Sequence, residues 1–279
     1  MPNSISCGRE MPPANDAQNI CSDCRASISA RSPGQSPLPS RRSITLARVP
    51  LTSAIIAVNV LVFLAMTFSG VSAATPGDAD LIRWGANTGW STLYIQPWRM
   101  LTSTYVHVGL LHLALNMWCL WNLGALAEQI FDRWTCFLTY TLCGLSGSLA
   151  SVTLHPTRLG AGASGAIFGL AGALISALYL GHLPVPRRVL KPILKSLVSF
   201  AAYNLIFGAI VRVIDNTAHI GGLVCGLGLG AMLAPRLTSP ADERNAWQRW
   251  VYILATGIFV ALFALARHLL KHPYTPQLG

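Results

Sequence analysis

Four stretches of this 279-residue chain contain no Asp, Glu, Lys or Arg at all: 100–127, 134–157, 159–186 and 216–235. Each holds an apolar run of the roughly 18 or more residues that cross a bilayer as a helix, so the first constraint on the fold is a lipid solvent. Composition agrees, with 11% charged and 52% apolar residues, against roughly 25% charged in a soluble domain. The formal charge of +10 arises from 20 Lys and Arg set against 10 Asp and Glu. These cations occupy short polar segments between apolar runs rather than one amphipathic face. That is the placement of topogenic charge, and it argues against a nucleic-acid-binding surface.

Apolar runs between charge clusters predict seven helices, at 51–68, 101–123, 134–154, 164–179, 194–211, 217–233 and 250–265. The expected fold class is an all-α polytopic membrane protein. The longest break, 69–99, carries Trp84, Trp90, Tyr94 and Trp98, the aromatic content of a segment resting at a membrane interface. Residues 1–49 are rich in Ser, Pro, Arg and Ala, with none of the apolar run that a cleaved secretory signal needs, and read as a disordered tail. Within it, Cys21-Ser-Asp-Cys24 has zinc-knuckle spacing and Cys7 adds a third thiol, but Ser4 stands where a fourth Cys would complete the pair. A closed structural zinc site takes four ligands, so the tail reads as a degenerate zinc-ribbon remnant and no metal site is expected. Cys119, Cys136, Cys143 and Cys225 lie in apolar runs and read as small buried hydrophobes rather than a disulfide framework.

With the amino terminus cytoplasmic, 14 of the 20 basic residues fall on the inner side, among them Arg133, Arg187, Arg188, Lys191, Lys195, Arg236 and Arg244. The outer side receives Arg83, Arg99, Arg158, Arg212, Arg267 and Lys271, so the positive-inside rule favours this orientation. The fourth and sixth runs then both begin on the outer side, near Ser164 and His219, at similar shallow depth.

In the fourth run Ala161, Gly165, Gly169 and Ala173 recur every four residues, and in the sixth Ala218, Gly222, Gly226 and Gly230 do the same. Such stripes let two helix backbones approach closely in lipid. Ser164 precedes one stripe and His219 sits on the edge of the other, so facing stripes would bring a hydroxyl within reach of an imidazole. His107, His112 and Asn116 add polar groups to the second run, His112 and Asn116 on one helical face. Polar side chains are costly to bury unpaired in a membrane, so this set marks an intramembrane polar site. A serine hydrolase is one reading: His is the usual base for Ser, and Asn116, His112 and backbone N–H groups near 162–164 are suitable donors to an oxyanion. A channel or proton-coupled transporter also uses His and Asn at such depth.

Over roughly 51–234 these residues resemble the rhomboid intramembrane serine proteases. Trp98-Arg99 resembles the pair closing that family's long first loop, and His107-x4-His112-x3-Asn116 its second-helix signature. Gly124-x3-Glu128 resembles the inner end of that helix, Gly162-Ala163-Ser164-Gly165 the nucleophile motif, and Ala218-His219 the sixth-helix pair. The resemblance implies a six-helix rhomboid core, here with a seventh transmembrane helix, arranged as a tail at 1–49, a protease core at 50–234, and a linker, last helix and short tail at 235–279. It implies Ser164 as nucleophile, His219 as general base, and His112, Asn116 and the Ser164 N–H as the oxyanion hole.

Structural roles near the site are implied for His107, Trp98, Arg99, Glu128, Gly162 and Gly165. Phe168 stands where some members carry Tyr, keeping the ring and losing the hydroxyl. Asp215, four residues before His219, reads as a helix cap rather than a third catalytic member. The activity implied is endopeptidase cleavage of single-pass transmembrane proteins through an acyl-enzyme, without cofactor, by a multi-pass protein of the plasma (inner) membrane. The alternative is an inactive rhomboid-like protein that binds membrane clients. The orientation is testable with a reporter that matures only outside the cytosol: fusions after Arg158 should be active and fusions after Arg188 or Arg244 silent, and the reverse pattern would invert the topology.

Overall fold

The computed structural model describes residues 49–211 and 214–270; the tail with Cys7, Cys21 and Cys24 lies outside the described residues. Chain order among the described residues is α1 (Pro50–Phe68), α2 (Asp78–Arg83), β1 (Asn87–Thr88), a π-helical turn (Ser91–Ile95), α3 (Arg99–Thr102), α4 (Leu110–Ile130) and α5 (Arg133–Leu154). There follow β2 (Leu159–Gly160), α6 (Ser164–Leu180), α7 (Arg187–Ile210), α8 (Asn216–Leu233), a 3₁₀ turn (Ala234–Arg236) and α9 (Ala241–Leu269). The fold class is all-α and polytopic. Six of these helices, α1, α4, α5, α7, α8 and α9, are long and apolar enough to cross a membrane.

Of the three other helices, α6 is the apolar one of intermediate length, with 17 residues, about 26 Å at 1.5 Å per residue, slightly under a hydrocarbon core of about 30 Å. It can be short because it is surrounded. It packs on α8 most extensively, then on α5, α4 and α7, and nearly all its side chains are buried. The facing stripes explain the closeness of α6 and α8. A Cβ built on Gly222 would stand 1.9 Å from the Gly165 carbonyl oxygen, one on Gly226 1.9 Å from that of Gly169, and one on Gly230 2.3 Å from that of Ala173. The two backbones therefore touch over three successive turns, where any side chain would force them apart.

Four expected boundaries differ. The second apolar run is divided: α3 ends at Thr102 and α4 begins only at Leu110, because Gly109 has φ +92°, a left-handed conformation that breaks the helix. Ala161, expected on the fourth helix, precedes α6. The fifth helix begins at Arg187 rather than 194, and the last spans Ala241–Leu269 rather than 250–265. Charged residues at the interface extend both beyond the charge-poor runs, since long cationic side chains can reach out of the lipid.

Charges that are buried or half-buried find backbone partners. Glu128, near the end of α4, accepts from the N–H groups of Thr52 (2.7 Å) and Leu51 (3.2 Å), capping the open N-terminus of α1. Gly124, one turn earlier, leaves room for Thr52. The segment between α1 and α4 has a core of its own around Leu81, Ala86, Val71 and Val106. Arg99 closes it, donating to the carbonyls of Ile82 (2.6 Å) and Ala86 (2.9 Å) and to the Gln96 side chain, with its guanidinium over the Trp98 ring. On α9, the Tyr252 hydroxyl donates to the Thr135 carbonyl and meets Thr139, while Tyr94 of the long loop donates to the Arg267 carbonyl.

Gly226 and Gly228 offer an internal comparison on one helix, since nothing lies within 4 Å of a Cβ at Gly228. Gly226→Val should destabilise by about 1–3 kcal/mol or more, lowering Tm in detergent by roughly 2–12 °C, while Gly228→Val leaves it nearly unchanged. Equal Tm values would refute the backbone contact.

Candidate active site

Ser164 is the first residue of α6 and His219 lies in the first turn of α8, so the stripe contact sets both at the same end of the bundle. The His219 Nε2 lies 2.8 Å from the Ser164 Oγ. The imidazole is buried and stacks face to face on Phe168, with ring centroids 4.2 Å apart and planes 10° from parallel. Phe168 lies one turn below Ser164 on α6, so one helix supplies both the hydroxyl and the surface that orients its partner. Ser164 itself is only half-buried.

Asp215 is a cap. Its carboxylate accepts from the Ala218 N–H at 3.1 Å and from the Ser151 hydroxyl, and the His219 Nδ1 has no protein partner among the described residues. The structure therefore brings together a pair, Ser164 and His219, with no carboxylate hydrogen-bonded to the imidazole.

His112 and Asn116 share a face of α4 beside this pair. The Val108 N–H donates to the His112 Nδ1 at 3.3 Å, which assigns the ring proton to Nε2 and leaves that nitrogen a donor. The ring lies against Gly162: a Cβ there would stand 2.6 Å from His112 Cε1 and 3.0 Å from Nε2, and Gly162 has φ +124°. Only glycine fits both demands. The Gly162 N–H donates to the Ser103 carbonyl at 2.8 Å, and the pairing of β1 with β2 (Asn87 with Gly160, Thr88 with Leu159) ties the approach to α6 to the long loop. Asn116 donates one amide proton to the His112 carbonyl at 2.9 Å, leaving its second free.

His107 is placed differently from expectation. It lies in the turn before α4, fully buried, with its Nδ1 3.3 Å from the Tyr105 carbonyl and its ring 5.3 Å from that of His112. Trp98, Arg99 and Glu128 stand away from the Ser164 hydroxyl, in the loop closure and helix cap described above, and Gly165 is part of the α6–α8 contact.

Sequence reasoning missed the polar cavity behind Ser164. Asn87, Ser103, Ser148, Ser151 and Asp215 line a space of about 30 Å³, enough for one or two waters. The Asn87 amide donates to the Ser148 carbonyl, and the Ser148 hydroxyl to the Met100 carbonyl. The available signal was the spacing of Gly144, Ser148 and Ser151, which aligns small and polar residues along one face of an otherwise apolar helix. Among the described residues no group of three or more His, Cys, Asp or Glu side chains is placed to hold a metal ion.

The fold and this Ser–His pair define a polytopic helical membrane protein with a paired Ser and His at one end of its bundle. A family model described as a Rhomboid domain matches residues 94–236. The chain belongs to the rhomboid family. It is 36% identical over 178 residues to the Rhomboid protease GluP of Bacillus subtilis (strain 168), covering 64% of this chain and 34% of that protein. It is 36% identical over 157 residues to RHOMBOID-like protein 6, mitochondrial, of Arabidopsis thaliana, covering 55% of this chain and 49% of that one. Rhomboid-like protease 3 of Toxoplasma gondii is 24% identical over 201 residues, covering 71% and 74%. The chain spans a third to a half of the length of the first two relatives.

Burial pushes the His107 imidazole, outside the spanning segments, down to about 3; His112 adds to the effect and the Tyr105 carbonyl opposes it. The folded pKa is below the unfolded value of about 6.5, so protonation favours the unfolded chain. The stabilisation is full above about pH 6.5 and is lost progressively as pH falls towards 3. Tm in detergent should decline across that window, and His107→Gln should flatten the decline; parallel curves for the two proteins would remove His107 as a cause.

Proposed function

We propose that this chain is an intramembrane serine endopeptidase acting through Ser164 and His219. The observation that carries the reading is the 2.8 Å contact between His219 Nε2 and Ser164 Oγ, in an imidazole stacked on Phe168. In the reaction, Ser164 Oγ attacks a substrate carbonyl carbon as its proton passes to His219 Nε2. The oxyanion is met by the Ser164 N–H, which has no preceding helical carbonyl to take it, by the His112 Nε2–H and by the free amide proton of Asn116. His219 returns its proton to the leaving amine. Water, for which the polar cavity behind Ser164 has room, then loses a proton to His219 and attacks the acyl carbon; the acyl–Oγ bond breaks as His219 returns that proton to Ser164 Oγ, releasing the carboxyl product.

The substrate class is a single-pass membrane protein whose transmembrane helix is locally unwound. A helix in lipid keeps its carbonyls hydrogen-bonded, and only unwound backbone at a polar site presents one for attack. The catalytic core is 50–234, the amino terminus is cytoplasmic, and the protein resides in the plasma (inner) membrane.

Wild type reconstituted in liposomes should cleave a single-pass reporter substrate and label with a fluorophosphonate. Ser164→Ala should abolish labelling, and both Ser164→Ala and His219→Ala should lower cleavage by more than about a thousandfold. A folded wild type that neither cleaves nor labels would favour the client-binding alternative.

A further inference from the structure

The last helix, α9, lies outside the proposed catalytic core, yet its two halves join different parts of the molecule. One face of it, Tyr252, Ala255, Phe259, Phe263 and Ala266, turns toward the bundle at the three- and four-residue spacing of a single helical stripe. Tyr252 and Ala255 belong to the main core. Phe259, Phe263 and Ala266 belong to a separate apolar cluster, which also takes in Leu93 of the π-helical turn, Met100 of α3, and Leu149 and Val152 of α5. Leu93 and Met100 are buried there.

Polar contacts close the same place. The Tyr94 hydroxyl donates at 2.6 Å to the Arg267 carbonyl, one of the last carbonyls of α9, which its own helix leaves open. The Arg267 guanidinium lies over two rings, 5.5 Å from the centroid of Tyr94 and 5.7 Å from that of Phe263, so one cation joins loop to helix. Trp90 extends the stack, its ring centroid 4.3 Å from that of Tyr94.

The single turn of α3 connects this clasp to the site. Met100 enters the α9 cluster while its carbonyl accepts from the Ser148 hydroxyl at the polar cavity. The Ser103 carbonyl, at the end of the same turn, accepts the Gly162 N–H at 2.8 Å. Gly162 is where the His112 ring rests, two residues before Ser164. Displacing α3 therefore shifts Gly162 and the His112 ring beside it, while Ser164 and His219 stay paired through the α6–α8 contact.

We infer that Tyr94, Phe263 and Arg267 are positioning residues: they fasten α9 to the π-helical turn and α3, and so set the oxyanion side of the site without touching substrate. This rests on the protease reading of Ser164 and His219 and gives α9 a part in it. The contact near the start of α9 is separate, since the Tyr252 hydroxyl meets Thr135, about 20 Å along α5 from Ser148 at 1.5 Å per residue.

The test compares full-chain variants by kcat and KM on a single-pass reporter in liposomes, by the rate of fluorophosphonate labelling, and by hydrogen exchange in detergent. Tyr94→Ala should lower kcat and the labelling rate together by about tenfold, leave KM within about twofold, and speed exchange in peptides covering 91–103 and 159–164. Tyr94→Phe, which keeps the ring under Arg267, should restore most of the rate. Arg267→Ala, confined to an exposed side chain, should lower kcat in the same direction and decides the matter should Tyr94→Ala not fold. Tyr252→Phe should lower Tm yet leave kcat and exchange at 159–164 unchanged. An unchanged kcat in Tyr94→Ala, or an equal loss in Tyr252→Phe, would overturn the positioning role. Exchange reads the clasp without proteolysis: a wild type that neither cleaves nor labels sinks the protease reading, whereas unchanged exchange at 159–164 in Tyr94→Ala sinks the clasp.

Discussion

Three turns of backbone-to-backbone contact between α6 and α8 are the constraint on which the rest of the structure depends. Gly222, Gly226 and Gly230 face the carbonyls of Gly165, Gly169 and Ala173 too closely for any side chain to intervene. In lipid the attraction between helices is packing rather than exclusion of water, so this closeness is itself the stabilising interaction. It also fixes register. With the stripes in contact, Ser164 and His219 fall at one end of the pair, and Phe168 falls under the imidazole rather than beside it. The site needs no long-range restraint on its two central residues because the helices that carry them cannot slide independently.

The surrounding structure supplies polar groups without leaving charge exposed to lipid. Glu128, Arg99 and Asp215 solve this in the same way, each meeting backbone groups that secondary structure leaves unpaired: the N–H groups of α1, the carbonyls of the long loop, and the N-terminus of α8. Each does more than cap. Glu128 joins α1 to α4, Arg99 closes the loop leading into α4, and Asp215 also holds Ser151 at the edge of the polar cavity. The imidazole of His219 is thus oriented by an aromatic face, while the nearest acidic residue is used for architecture.

Much of the fold was legible in the chain because lipid imposes a simple rule: long charge-free runs become helices. The boundaries were less legible. Gly109 interrupts the second run without any charge to mark the break, and α7 begins among cations that hydropathy excludes. His107 was misplaced for the first reason. Asn87, Ser103, Ser148 and Ser151 went unremarked because each is an ordinary small polar residue in sequence, and only packing gathers them behind Ser164.

Spacing alone carried the all-α membrane class, the paired stripes and the polar residues at their ends, because a helix repeats every 3.6 residues and a bilayer has one thickness. It did not carry which faces meet. The 2.8 Å separation of Ser164 and His219, the stacking of Phe168 on the imidazole, and the polar cavity behind Ser164 all depend on how separate helices settle against one another. That is decided by the fit of whole surfaces, to which distant residues contribute at once, and no local pattern encodes it.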